Sequence, residues 1–251
     1  MSSHPDVKYK NPPLVEVVCE IRFISTESWD LAIPGLIYNQ VEDFFPVRRS
    51  RRRIHSEARA TDRGLDQEFQ FTQLAQFLNE RENAFIQVGP NLLSVNHLKP
   101  YPTWEKYKPL TQKGIKAYIS VAEPEQIRRI GLRYINRIKI PKERINLEEY
   151  FDFRPFVGSK LPQELSGFMI GIQSEYDNGQ NNLRLQLKSS TADDPESTAY
   201  LLDLDYFTSQ PTNVSMEEVL MWIEKAHNRI QRAFEGCLTD KLRKLFEIVE
   251  E

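Results

Sequence analysis

The sequence predicts an α+β protein: a large, strongly twisted antiparallel sheet or open barrel, built from two similar halves, with long helices packed on it. Three observations predict this. Short β-branched segments alternate in polarity, two long segments repeat their apolar positions at helical spacing, and Gly, Pro, Asp and Asn punctuate the strands. With 251 residues, 40% apolar and 27% charged, the chain has a globular composition. A chain this long removes roughly 70 to 75% of its unfolded surface from water, so its core needs neither disulfide nor metal.

The first strand is Leu14 to Phe23, with Val15, Val17, Cys19, Ile21 and Phe23 on one side and Glu16, Val18, Glu20 and Arg22 on the other. Asn11-Pro12-Pro13 fixes the approach to it, because two successive prolines donate no backbone hydrogen bond. After Pro34, the positions of Leu36, Ile37, Val41, Phe44 and Phe45 predict a helix that Pro46 ends. Strands are expected over Arg51 to Ala60, Asp66 to Thr72, Ala84 to Val88 and Leu92 to Leu98, the last two joined as a hairpin by Gly89-Pro90-Asn91. Tyr107, Leu110, Ile115, Tyr118 and Ile119 then describe an amphipathic helix with Thr103 as its N-cap.

The order then repeats. Ile127 to Ile140 is a long strand and Leu147 to Phe151 a helical turn. Three further strands, Phe168 to Ser174, Leu183 to Lys188 and Tyr200 to Phe207, are separated by Asp177-Asn178-Gly179 and Asp193-Asp194-Pro195. A second long helix, capped by Ser215, carries Val219, Trp222, Ile223, Ala226, Ile230 and Phe234, and Gly236 parts it from a short terminal helix. The strand-helix-strands-helix order predicts halves 1–122 and 123–251. Ala122-Glu123-Pro124-Glu125 is only a turn between them, so residues 1–251 are expected to form one domain.

Tyr9, Asn11-Pro12-Pro13-Leu14-Val15-Glu16, Cys19-Glu20-Ile21-Arg22-Phe23, Ile130-Gly131-Leu132-Arg133-Tyr134-Ile135-Asn136-Arg137-Ile138, Leu201-Leu202-Asp203-Leu204-Asp205-Tyr206-Phe207 and Phe234-Glu235-Gly236-Cys237-Leu238-Thr239-Asp240-Lys241-Leu242 together carry a resemblance. The chain resembles, over almost its full length, a sporadically distributed and uncharacterised prokaryotic family. That resemblance implies no activity, cofactor or catalytic residue. The family's patchy occurrence is similar to that of transferred defence modules, which implies a possible role in antiviral defence.

Several function classes are excluded or given no support. No apolar run is long enough to span a bilayer as a helix, the start Met1-Ser2-Ser3-His4-Pro5-Asp6 is unlike a leader, and the expected location is cytoplasmic. Cys19 and Cys237, far apart in the chain, give neither a disulfide framework nor zinc spacing. The formal charge of -3 is not the signature of a basic nucleic-acid-binding domain. Phosphate-binding, dinucleotide-binding, nucleophile-elbow and zinc-protease motifs are all missing. His4, His55, His97 and His227 lack ligand spacing, and no catalytic residue or metal site is assigned.

Chemistry-bearing residues lie instead on alternating strand positions. Glu20 and Arg22 share one face of the first strand, Arg133 and Arg137 (with Arg129) one face of the middle strand, Arg184 (with Gln186 and Lys188) another, and Asp203 and Asp205 a fourth. If the sheet curled, these could line a polar cavity in which arginines hold phosphates and carboxylates hold Mg²⁺, as in tunnel-type triphosphate hydrolases. The plainer arrangement, helices on one face and water on the other, has precedence because no E-x-E-x-K strand repeats. A second candidate is the run Arg48, Arg49, Arg51, Arg52 and Arg53, a local nucleic-acid patch or a charged sheet edge. The expected function is a non-enzymatic binding or regulatory module with a protein partner or self-association. The alternatives are a nucleotide- or triphosphate-handling enzyme with Mg²⁺ and a nucleic-acid binder.

Overall fold

The computed structural model describes residues 7–25, 29–61, 64–209 and 212–249, with the backbone alone for 52–61 and 64–72. Nine strands form one open antiparallel sheet: β1 (Leu14–Ile24), β2 (Val47–Thr61), β3 (Gly64–Leu78), β4 (Ala84–Gly89), β5 (Leu92–Leu98), β6 (Gln126–Ile140), β7 (Met169–Tyr176), β8 (Asn181–Ser190) and β9 (Thr198–Thr208). Their order is β2-β3-β4-β5-β1-β6-β9-β8-β7, so β2 and β7 are the edges. The helices are α1 (Ile33–Val41), α2 (Trp104–Ala122), α3 (Val219–Gly236) and α4 (Asp240–Leu245). None among the described residues is long and apolar enough to cross a membrane.

The chain divides into two compact units, and the division cuts β1 between Val18 and Cys19. One unit comprises Cys19–Leu98 and Pro102–Arg128. Its core forms because Cys19, Ile21 and Phe23 alternate onto the buried side of β1. There Phe23 stacks on Tyr118 of α2, ring centroids 4.6 Å apart. The buried hydroxyls of α2 are satisfied by the sheet: Tyr107 donates to the Val95 carbonyl at 2.8 Å and Tyr118 to that of Gly89 at 3.1 Å.

The other unit comprises residues 1–18, Lys99–Tyr101 and Arg129–Glu251. On β6, Ile130, Leu132, Tyr134, Asn136 and Ile138 are buried on the side facing α3, where the Tyr134 hydroxyl meets His227 Nδ1 at 2.7 Å. Arg129, Arg133 and Arg137 occupy the intervening positions and so the opposite face. α3 is held to the sheet by Trp222, whose indole N–H donates to Asn181 Oδ1 at 2.8 Å and whose ring lies 5.5 Å from Tyr206. Asp177, Asn178 and Gly179, all at positive φ, make the β7–β8 turn, a backbone region that Asp, Asn and Gly tolerate best. The N-terminal segment is anchored by the Tyr9 hydroxyl, which donates to Glu235 at 2.8 Å while Arg243 donates to the same carboxylate at 3.0 Å.

Four sequence expectations need correction. β2 and β3 are longer than expected, running in register from Val47↔Leu78 to Thr61↔Gly64. The arginine run therefore lies in a strand, because cross-strand pairing extends through charged residues that carry no hydropathy alternation. Thr103 precedes α2 without a side-chain capping bond, at φ 133. α3 starts at Val219, later than a cap at Ser215 would place it, and the Ser215 amide donates to Glu218. Phe44 is about half exposed while Phe45 is fully buried, since α1 has ended before them.

Candidate functional site

The polar face of β6, β9 and β8 gathers Arg133, Arg184, Gln186, Asp203 and Asp205 around a shallow depression of about 70 Å³. Register explains the convergence. Asp205 of β9 stands opposite Arg133 of β6 and Arg184 of β8, and Asp203 stands opposite Gln186. Arg133 reaches diagonally to Asp203 as a two-pronged fork, Nε to Oδ1 at 2.8 Å and a terminal nitrogen to Oδ2 at 2.5 Å. That contact raises the already high pKa of the guanidinium, keeping it charged.

Asp205 is held more loosely. Its nearest cations are Arg129 at 3.5 Å and Arg184 at 3.7 Å, and its side chain is largely buried. Burial raises its pKa against the opposing pull of Arg129, Arg184 and Arg133. The Arg129 and Arg184 guanidinium carbons lie 4.7 and 5.2 Å from the centroid of the Phe207 ring. Phe207 was missed as a site residue, although its place two residues after Asp205 puts it on the acidic side of β9. Glu16, on the β1 segment of this unit, adds its charge to the field at Arg133.

Arg137 is not drawn into the depression. It forks onto Asp193 at 2.8 and 2.9 Å and donates to the Thr191 carbonyl, fastening the β8–β9 connection. Glu20 and Arg22 belong to the other unit and pair with each other at 2.9 Å on one face of β1. In the arginine run, Arg48 lies 4.7 Å from the Tyr38 ring, Arg49 pairs with Glu82, and Arg51 is exposed. Because β2 alternates, Arg49 and Arg51 point away from the face that Arg48 uses. The side chains of Arg52 and Arg53 lie outside the described residues.

The depression's size and donor set limit its chemistry. Its volume is far below the roughly 300 Å³ of the smallest common ligand pockets, room for one small polar group rather than a nucleotide. A Mg²⁺ ion at Asp203 and Asp205 would face three guanidinium cations at short range, which opposes its binding. Among the described residues, no group of His, Cys, Asp and Glu has the arrangement of a metal site. Cys19 and Cys237 are buried thiols whose pKa burial pushes up to about 12, which makes them poor nucleophiles. His97 is buried with Nδ1 2.7 Å from the Leu98 carbonyl, and burial lowers its pKa. His4 and the side chain of His55 fall outside the described residues.

The Arg133–Asp203 pair is 47% and 16% exposed, so solvent screens it. A double-mutant cycle of Arg133→Ala and Asp203→Ala, followed by urea unfolding, is expected to give a coupling of about 1 kcal/mol or less. A coupling several-fold larger would mean that the pair is a structural keystone rather than part of a recognition surface.

No family model and no curated protein matches the chain. One similar solved structure is the di-domain ARO/CYC StfQ from the steffimycin biosynthetic pathway. It is 6% identical over 92% of this chain and 97% of that one, with a TM-score of 0.18. A likeness that weak supports no statement about fold or function.

Proposed function

We propose that the protein is a non-enzymatic binding module whose β6–β9–β8 face receives a carboxylate-bearing segment of a protein partner, with Arg184 as the anchor. The observation that carries this reading is the state of Arg184. Its side chain is 45% exposed at the rim of the depression, and its charged and ring contacts among the described residues are the 3.7 Å ion pair to Asp205 and the Phe207 ring. Its N–H fork is thus available to an incoming carboxylate, while Gln186 beside it offers an amide. Arg129, Arg133 and Arg184 are matched by Asp203, Asp205 and Glu16, so selection for an anion rests on the exposed Arg184 fork rather than on net local charge. A half-exposed arginine next to an aromatic ring is also the composition of an interface centre.

The test is binding by the folded chain and by Arg184→Gln. The probes are acidic peptides, ATP, GTP and triphosphate with Mg²⁺ by calorimetry, and oligonucleotides titrated with salt. Peptide binding that falls at least tenfold in Arg184→Gln supports the module. Nucleotide binding that depends on Arg133 and Arg184 would establish the phosphate-handling alternative instead. Oligonucleotide binding whose salt slope drops on neutralising Arg48, Arg49 and Arg51 would establish the nucleic-acid alternative.

The two similar halves, 1–122 and 123–251, belong to the same proposal. Their support is topological: the strands outward from β1 are β5, β4, β3 and β2, those outward from β6 are β9, β8 and β7, and each series is followed by a long helix. A role in a prokaryotic defence or stress system is proposed from the family resemblance alone.

A further inference from the structure

The two edges of the sheet differ in their protection. β2 carries five arginines from Arg48 to Arg53, and such a row of like charge opposes pairing with a copy of itself. β7 has no Lys, Arg or Pro, and its single charge is Glu175. Among the described residues neither face of its middle is covered: Gly171 through Glu175 are all exposed, with Met169 at 71% and Ile172 at 49%, while Tyr176 at its end packs against Tyr206. Strands of this kind have unpaired N–H and C=O groups along one side and are templates for another strand. Natural edges of this length are usually blunted, and this one is not.

We propose that β7 is a self-association edge, at which two copies of the chain pair antiparallel, β7 against β7, about a two-fold axis through Ile172. The strand's own sequence favours a second copy as the occupant. Centring on Ile172 sets Ile172 against its equivalent, Gly171 against Gln173, Ile170 against Ser174 and Met169 against Glu175. No like charges meet, and the half-exposed Ile172 gains an aliphatic cross-strand partner. One step outward, Tyr176 faces Phe168, an aromatic pair. In an antiparallel pair opposite residues point to the same side, so Ile170 and Ile172 join the Leu185 and Leu187 side of β8 across the seam. Pairing β7 with β2 of another copy would be heterologous, and with two unlike free edges it would build an open chain rather than a closed dimer. The two-fold closes.

The self-pairing is tested without any peptide and through Ile172, which alternates onto the face opposite Arg184 and Gln186, although β7 itself adjoins that site at Gln173↔Arg184 and Gly171↔Gln186. It predicts twice the 29.4 kDa chain mass for the full chain at tens of micromolar by sedimentation equilibrium. Ile172→Lys places a like-charge pair at the axis, and it is expected to weaken the dimer at least tenfold with an unchanged circular dichroism spectrum. Arg51→Glu, on the opposite edge, should leave the mass unchanged. Ile172→Cys should cross-link to a covalent dimer under mild oxidation, whereas the wild type, whose two cysteines are buried, should not. A monomeric wild type would overturn the proposal. So would a dimer indifferent to Ile172→Lys, or a polymer dissolved equally by Ile172→Lys and Arg51→Glu, which would mean β7–β2 pairing.

Discussion

Trp222→Ala is expected to lower the free energy of unfolding by about 3 to 5 kcal/mol, the range for deleting a large buried aromatic. Trp222 is 6% exposed, on the face of α3 that also buries Val219, Ile223, Ala226 and Ile230. The substitution removes a ring packed 5.5 Å from Tyr206, which is itself fully buried, and leaves a cavity between helix and sheet. It also removes the indole donor of Asn181, a residue 6% exposed, and an acceptor stranded in a core adds its own desolvation cost. Trp222→Phe separates the two effects, because it retains most of the ring packing and loses only the hydrogen bond. Its expected cost is about 1 to 3 kcal/mol. Urea unfolding followed by circular dichroism would measure both. A loss under about 1 kcal/mol for Trp222→Ala would place this face of α3 in water and refute the packing.

Much of this fold was legible because alternation on a half-buried strand is a direct record of which side meets the core. The split of β1 into Cys19, Ile21 and Phe23 against Glu20 and Arg22 followed from period two alone, as did that of β6. The open antiparallel sheet and the burial of Trp222 came from the same patterns. What the sequence concealed were events that depend on partners distant in the chain. Arg137 shares a face with Arg133, but Asp193, in a connection with no periodic pattern, draws it away. Thr103 is of the residue type that caps helices, yet its backbone stands at φ 133 and its side chain makes no capping bond. The Arg48 to Arg53 run has no apolar alternation, and only its pairing with β3 makes it a strand. Convergence of Arg133, Arg184, Asp203 and Asp205 could be guessed from face, but their neighbours could not. Neither the diagonal fork onto Asp203 nor the Phe207 ring beneath two guanidiniums is encoded in spacing, since both depend on strand order, β6-β9-β8, which alternation does not reveal.

Asp177→Ala is expected to cost about 2 to 4 kcal/mol at neutral pH, and this cost should shrink in acid. Asp177 sits in the β7–β8 turn at the centre of a polar network. It accepts from Asn181 at 2.7 Å, from the Tyr206 hydroxyl at 3.0 Å and from Lys225 of α3 at 2.8 Å. Asn181 in turn holds Trp222, so this carboxylate stands behind the contact that fixes α3 to the sheet. Two of the three donors are in buried residues, and each left unpaired costs about 1 to 3 kcal/mol, with less than full additivity because they share one network. The Lys225 pair, 47% and 21% exposed, adds little through charge alone. Lys225 first, then Asn181 and Tyr206, hold the Asp177 carboxyl below its ordinary pKa despite its partial burial. The native state therefore binds this proton less readily than the unfolded chain does. The stabilisation is complete above the unfolded carboxylate pKa, near 3.9, and is lost as pH falls through the lower folded value. Asp177→Asn keeps an acceptor oxygen without the charge, and its deficit against wild type should likewise narrow from pH 7 to pH 3. Urea midpoints of the three proteins at both pH values would test this. A deficit that is constant or wider in acid would mean that the carboxylate's charge has no part in holding the turn.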